Sequence, residues 1–531
     1  MTDCAAASNR KGLYMGIVRF IALAAAFLVM EASACTGMYV GRKVSATGAT
    51  LLGRTVDLPP TTRLFRIESR PRVKDVPGRV HRGSHGFSWS LPATTWHYVC
   101  TPATASNGLG DFTSIGMNEK GLAVTATVSA YPRKEIRDAE PFIKTGLAEE
   151  SMTSLIAMVC STAREGVELI AEVMEKAGSH EGSIVMLADP DEAWYVEIYS
   201  GRQWAAVRMP EDKVAAFGNE YSLRGFDPAA PDVRASPGLV ELPRKVGTLA
   251  KTADGHIDLM KSYLGVRCDF AHYRTWYGRR FLAGEKAAGA YSTGCETPLF
   301  YVPSRAIGPA DLFALMRSRN EGTEWSPETT RRMDVRTIGD EVQCTDHVLE
   351  VRGDMPLELA CTAWVCLGAA EHSVFLPVNA VVTSVAEAFS RDSAPDATKC
   401  AYDPALAAAR FRRLSAFAEL DRVLYGQGVR DYWESCERRL LAAEPGVRAE
   451  ARRLYAESPA KAAEYLTCRA VGLQEAALSD ARRMFDDLMW HVTDANRARR
   501  YNVNYYTRVL SPMPPVKPFV PDAKSLRLIS F

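Results

Sequence analysis

The sequence predicts an α+β protein: antiparallel sheet covered by helices, followed by a helical C-terminal region. Three observations carry that class. Runs of strand, then helix, then strand fill residues 36–218; a β-rich block returns at 344–378; and beyond residue 401 apolar residues recur at helical spacing. The chain has 531 residues, more than one ordinary domain. Its expected divisions are a leader at 1–34, a main domain at 35–400 and a helical region at 401–531.

The first element of the main domain is a hairpin. Residues 36–41 are β-rich, Ser45-Ala46-Thr47-Gly48 is a turn cluster, and Thr50-Leu51-Leu52 resumes an extended run. A hairpin returns the end of its second strand to the start of its first, which brings Arg54 and Asp57 towards Cys35. Residues 59–110, rich in Pro, Arg and His, read as loops and short strands lining a cleft. Residues 115–129 read strand, tight turn at 118–121, strand, with Val124, Ala126 and Val128 alternating. Helical spacing over 142–177 fits two helices. Strands at 183–188 and 194–199 are joined by Asp189-Pro190-Asp191, and 204–208 with 214–218 read as a further strand pair. After a Pro/Asp/Ala loop at 225–240, residues 309–317 read as helix, and 347–351, 357–366 and 373–376 as strands.

A loop at 391–398 precedes the helical region. Residues 404–427 carry an apolar stripe at Phe411, Leu414, Phe417, Leu420 and Leu424. A second helix is expected over 430–443. Ser458 as N-cap with Pro459 at the first helical position opens a third, running to about residue 490. These stripes suit packing against the main domain better than cofactor binding. Residues 511–521 are Pro-rich and extended.

Composition narrows the function. Net charge is +1, so the concentrated basic surface of a nucleic-acid-binding protein is not expected. The arginines within 482–483 and 497–500 have acids between them and read as a solvated helix face. At the N-terminus, Arg10, Lys11 and Arg19 accompany an apolar run at 20–30 that is too short to span a bilayer. Ala32-Ser33-Ala34 then supplies the small residues of a cleavage site. A secretory leader processed by signal peptidase is expected, with Met15 a tidier start than Met1, and a periplasmic or extracellular product beginning at Cys35. The rival is lipidation of Cys35, which would make a membrane-anchored binding protein. Against it, Ala32 stands where such sites usually carry Leu, and a strand begins at once with no tether.

Twelve cysteines are present. With Cys4 in the leader and Cys35 set aside, ten remain, an even number that permits disulfides in an exported protein; burial as small hydrophobes is an equal reading. Cys361 and Cys366 lack metal-ligand spacing, the nine histidines form no triad or metal pattern, and no Gly-rich phosphate loop occurs. No metal or cofactor is expected.

A thiol attacks as thiolate. As first residue, Cys35 would carry its own base, since a free α-amine has a pKa of roughly 7.7–8.0. Arg54 beside the sulfur would favour the thiolate, and Asp57 would accept hydrogen bonds from the amine. Without Cys35, the default reading of Arg54 and Asp57 is a surface ion pair. Asn219, just past a predicted strand, offers an amide to an oxyanion, although alone it would be an ordinary strand-end residue. Asn118 and Glu119 read as turn-builders. Asp189 and Glu197 are candidate paired carboxylates that a turn and a strand edge explain adequately, and Asp346-His347 reads as a structural pair.

Cys35-Thr36-Gly37 with Gly53-Arg54-x-x-Asp57 resembles the start of the cysteine-type N-terminal nucleophile hydrolases, which include penicillin V acylases and bile salt hydrolases. Gly116-Met117-Asn118-Glu119-Lys120-Gly121-Leu122-Ala123, Ala188-Asp189-x-x-Glu192-Ala193-Trp194-x-x-Glu197 and Trp204-Ala205-Ala206-Val207-Arg208 ahead of Asn219 resemble the narrower dipeptidase A family. So do Tyr273-Arg274-Thr275-Trp276 and Ser373-Val374-Phe375-Leu376-Pro377. The resemblance spans about 35–380. It implies an αββα fold and hydrolysis of short peptide substrates; no cofactor is expected, an N-acyl amide hydrolase is the alternative activity, and the sequence leaves a homo-oligomer open. It also implies Cys35 as nucleophile and base, Arg54 and Asp57 as its tuners, Asn219 as oxyanion donor and Arg274 as a later active-site arginine, with Arg279 and Arg280 as rivals. Some amidase relatives carry an Asn or Tyr ten residues beyond the turn Asn. Here that residue is Val128, of which only the backbone N–H could serve.

Overall fold

The computed structural model describes residues 35–528 apart from 59–63, 105–111, 127, 266, 268, 297, 331–335, 393–401 and 501–515. The expected leader and cleavage site, Cys4, Cys268 and Cys400, and parts of the 391–398 and 511–521 segments lie outside the described residues.

In chain order the strands are β1 (Thr36–Val40), β2 (Thr50–Asp57), β3 (Glu68–Arg70), β4 (Val80–Arg82), β5 (Ser88–Ser90), β6 (Tyr98–Pro102), β7 (Thr113–Asn118) and β8 (Ala123–Ala126). They continue as β9 (Ser183–Ala188), β10 (Ala193–Ile198), β11 (Trp204–Arg208), β12 (Val214–Phe217), β13 (Val233–Ala235), β14 (Gln343–Val351), β15 (Cys361–Leu367) and β16 (Leu376–Asn379). Helices of eight residues or more are α1 (Glu149–Val159), α2 (Ala163–Lys176), α3 (Asp269–Ala283), α4 (Pro309–Arg317), α5 (Ala407–Ala418), α6 (Gln427–Glu457) and α7 (Pro459–Arg500).

Two antiparallel sheets result. One is six-stranded, in the order β12-β1-β2-β14-β15-β16; the other is eight-stranded, in the order β13-β11-β10-β9-β8-β7-β6-β3. Strand alternation assigns the faces. Along β9, Ile184, Met186 and Ala188 join the core shared with the six-stranded sheet, while Val185 and Leu187 join a second core under α1 and α2. α2 forms where an apolar face of Val167, Ile170, Val173 and Met174 follows Thr162, whose side chain accepts the Glu165 N–H at 3.1 Å. On the other side, α3 and α4 cover the six-stranded sheet. Gly278 of α3 lies against Ala216 of β12, where a Cβ would stand 2.3 Å from the alanine methyl; Gly53 of β2 faces Met316 of α4. The layer order is therefore α, β, β, α.

Four expectations need correction. Residues 204–208 and 214–218 do not pair with each other: β11 pairs with β10 and β13, and β12 with β1. The link between them crosses over because Gly41 N–H donates to Lys213 O and Lys43 N–H to Glu211 O, both at 2.9 Å. Residues 357–359 form a 3₁₀ turn ahead of β15. The helix expected over 404–427 stops at Ala418, and Asp421 caps a short π turn at Arg422–Gly426 by accepting two backbone N–H groups; Leu420 is left exposed. The helix expected to end near residue 443 continues as α6 through Pro445, which omits one ladder bond without ending the helix.

The helical region packs on the six-stranded sheet. Phe411, Leu414, Trp433 and Leu473 enter the same core as the strands. Its polar anchor is a buried pair between Arg317 of α4 and Glu437 of α6. Arg317 Nη1 and Nη2 each donate to one Glu437 oxygen at 2.7 Å. Arg317 also donates to Ala370 O at 2.7 Å and Ser373 O at 3.0 Å, and Phe375 N–H donates to Glu437 Oε1 at 2.9 Å. All described cysteines are free thiols. No described helix is long and apolar enough to cross a membrane.

Candidate active site

Cys35 leads into β1, the strand held between β12 and β2. The ladders pair Thr36 with Thr55 and Gly37 with Arg54 on one side, and Gly37 with Phe217 on the other. Carried outward in the same register, Cys35 is level with Val56 and Asn219. Gly37 makes this possible, because a Cβ there would stand 2.3 Å from the Phe217 ring.

Arg54 turns back to the thiol. Its Nη2 donates to Cys35 Sγ at 3.2 Å and also to Glu149 Oε1. Glu149, at the start of α1, receives the Ser129 hydroxyl at 3.3 Å on its other oxygen, and its own N–H donates to Glu181 at 2.9 Å. Asp57 contributes twice: its backbone N–H faces the thiol, and its side chain is wholly buried. Oδ2 accepts the Thr55 hydroxyl at 3.3 Å and pairs with Arg336 Nη2 at 3.1 Å, while Oδ1 has no hydrogen-bond partner among the described residues. The Thr55 hydroxyl in turn receives Thr36 N–H at 3.0 Å.

Arg274 of α3 reaches the same place from the helix layer. Nη1 donates to Cys35 O and to Thr36 Oγ1 (2.9 Å), and Nη2 donates to Asn219 Oδ1 at 2.6 Å. Asn219 Nδ2 donates to Ser129 O at 2.8 Å, so both ends of the amide are oriented. Cys35, Arg54, Asp57 and Arg274 thus share one buried cluster, to which the half-buried Asn219 is joined. Arg279 and Arg280 point elsewhere: Arg279 lies over the Tyr301 ring and Arg280 pairs with Glu285 at 2.8 Å.

Burial pushes the Cys35 thiol up, while Arg54 and the Asp57 N–H pull it down; the carboxylates of Glu149 and Asp57 push it up further. Burial pushes Asp57 up to about 6 against the pull of Arg336 and Arg274. Burial, with Arg336 nearby, lowers Arg274 to about 10. His347 lies beside Arg54 across the β2–β14 ladder and is held neutral by burial and then by that cation; its Nε2 meets Thr125 Oγ1 at 2.8 Å.

Two further expectations fail here. Asp346 and His347 are not a pair, because neighbours in a strand face opposite ways. The Val128 N–H is unavailable to an oxyanion, since it donates to Ile184 O at 3.1 Å. Asn118 builds its turn, accepting the N–H groups of Lys120 and Leu122. Asp189 and Glu197 have separate structural tasks. Asp189 receives the N–H groups of Ala163, Asp191 and Glu192, and Glu197 receives two tyrosine hydroxyls and the Ser222 N–H. Glu149 and Arg336 were not among the sequence candidates. Among the described residues no group of three His, Cys, Asp or Glu side chains is placed to hold a metal ion.

The four layers follow the αββα order that the resemblance in the sequence implies. Residues 34–404 match the model of peptidase family C69, and the chain belongs to that family. "Probable dipeptidase B" of Streptococcus pyogenes serotype M1 is 30% identical over 398 residues, 72% of this chain and 79% of that protein. "Probable dipeptidase" of Salmonella dublin is 29% identical over 369 residues, 68% and 84% of the two chains. Among solved structures, a mutant of conjugated bile acid hydrolase from Clostridium perfringens aligns with 65% of this chain and 92% of its own, at 11% identity and a TM-score of 0.24. The family match and the dipeptidase-named relatives make the protein a peptidase, an enzyme that hydrolyses peptide bonds.

Proposed function

We propose that this enzyme is an exported dipeptidase whose nucleophile is Cys35, unmasked by cleavage after Ala34. The observation that carries the reading is Arg54 Nη2 at 3.2 Å from Cys35 Sγ, inside the segment that matches the peptidase family. The thiol proton passes to the α-amine of the same residue, directly or through one water. Sγ attacks the scissile carbonyl carbon, and the ammonium then protonates the leaving amine as the C–N bond breaks, which leaves a thioester. The amine next takes a proton from water, whose oxygen attacks the thioester and releases the acid and the thiol. The open Asp57 Oδ1 receives the amine. Asn219, oriented by Arg274 and the Ser129 carbonyl, donates to the oxyanion.

N-terminal mass analysis of exported protein tests the first step. A free amine on Cys35 is expected; acyl chains there would establish the lipid-anchored alternative. A panel of dipeptides and N-acyl amides is expected to favour dipeptides, and the reverse preference would make the enzyme an acylase.

The acidic limb of the pH profile follows from the same groups. The amine must be neutral to take the thiol proton, so log kcat/KM is expected to rise with slope one up to roughly 7.7–8.0. Asp57, pushed up to about 6, takes a proton below that pH and stops accepting as a carboxylate. The slope is therefore expected to approach two below pH 6. A slope that stays at one would show that ionised Asp57 is not needed.

A further inference from the structure

Outside the Cys35 cluster, a second thiol is grouped with an imidazole and a carboxylate. His272 Nε2 lies 3.2 Å from Cys295 Sγ, and His272 Nδ1 lies 2.7 Å from Glu220 Oε1. His272 is fully buried and Glu220 nearly so, while Cys295 is partly exposed. Glu220 is itself fixed: Thr275 Oγ1 donates to Oε1 at 3.1 Å, and Arg267 Nε lies 3.2 Å from Oε2. Arg267 Nη1 also donates to Cys295 O at 2.9 Å, which holds the cysteine over the imidazole. A carboxylate at Nδ1 requires the proton on that nitrogen, so Nε2 presents its lone pair to the thiol. Nucleophile, base and orienting acid stand within hydrogen-bond reach in that order.

We propose that Cys295 is a second nucleophilic thiol, activated by His272 and Glu220, and that it is a site of oxidation by small hydroperoxides. The thiol proton moves to His272 Nε2. The sulfur attacks the distal oxygen of the hydroperoxide; an S–O bond forms as the O–O bond breaks, and the leaving alkoxide takes the proton from the imidazolium. Cys295 is oxidised by two electrons to the sulfenic acid, and the hydroperoxide is reduced to the alcohol, or to water when it is hydrogen peroxide. The partial cover over the sulfur suits a small oxidant. Apart from Cys35, the proposed catalytic thiol, the buried thiols lack that access, and Cys468 of α7, which is exposed, supplies an internal comparison.

The test treats the full chain with hydrogen peroxide and traps sulfenic acid with dimedone, with peptide mass mapping to locate the adduct. Cys295 is expected to react at least tenfold faster than Cys468. His272→Gln is expected to reduce it to the Cys468 rate, and Glu220→Gln to lower it part of the way. Reaction at Cys295 no faster than at Cys468 in the unaltered protein overturns the proposal, as does an undiminished rate in folded His272→Gln. Should that variant fail to fold, the ratio of the two thiols in the unaltered protein decides alone.

Discussion

Replacing Cys35 by serine is expected to lower kcat/KM for a dipeptide by a factor on the order of 10⁴ or more. Arg54 lies close enough to stabilise a thiolate, but a hydroxyl is too weak an acid to gain comparably from one cation. The exchange removes little volume from a buried site, so thermal unfolding should remain cooperative with a similar midpoint. The variant also separates the two proposed routes by which Cys35 would become the first residue. Signal peptidase cleavage needs only the small residues before position 35, whereas lipidation needs the sulfur. Processed, soluble Cys35→Ser protein would support the first; dipeptide turnover at the unaltered rate would remove the mechanism.

The largest expected loss of stability comes from Glu437→Ala. Arg317 is fully buried and its guanidinium is satisfied by two carboxylate oxygens and two carbonyls. Removing the carboxylate leaves that charge uncompensated, and the Phe375 N–H loses its acceptor. Breaking a buried pair from one side costs about 3–5 kcal/mol, much more than the pair itself contributes. Urea unfolding monitored by tryptophan fluorescence reads the change. The pair Arg453–Glu457, exposed on α6, is the control, and Glu457→Ala should leave the midpoint in place. Equal midpoints for both variants would mean that the helical region is not anchored through Glu437.

What was legible in the sequence follows chain distance. The β1–β2 hairpin was readable because its turn cluster and both strands lie within one short segment, and its geometry alone places Arg54 and Asp57 near Cys35. Asn219 was visible as a strand-end amide, but its role, like the choice of Arg274, came only through family motifs. They reach Cys35 through the β1–β12 ladder and the docking of α3, neither of which leaves a local pattern. Glu149 left no usable sign: a glutamate at the start of a helix is explained by the helix alone, and its tie to Arg54 is purely tertiary. Arg336 reads as one more basic residue in a charged stretch. The misread pairing of 204–208 with 214–218 has the same origin. Alternation marks a strand but not its sheet, and a five-residue link suits a hairpin as well as a crossover. The helix expected over 430–443 is longer for a related reason: it continues past Pro445 to reach Ala451, whose burial is a tertiary contact.

The ladders on either side of β1 make the tolerance for length changes uneven. Around Gly48, whose φ is +71° and whose Cβ position is open, an extra residue adds only to the bend. The same insertion between Cys35 and Val40 would invert each later side chain of the strand, sending Met38 and Val40 to the wrong surface. Lineages of this enzyme should therefore vary freely in loop length near residue 48 while keeping a fixed spacing from the thiol to the end of its strand.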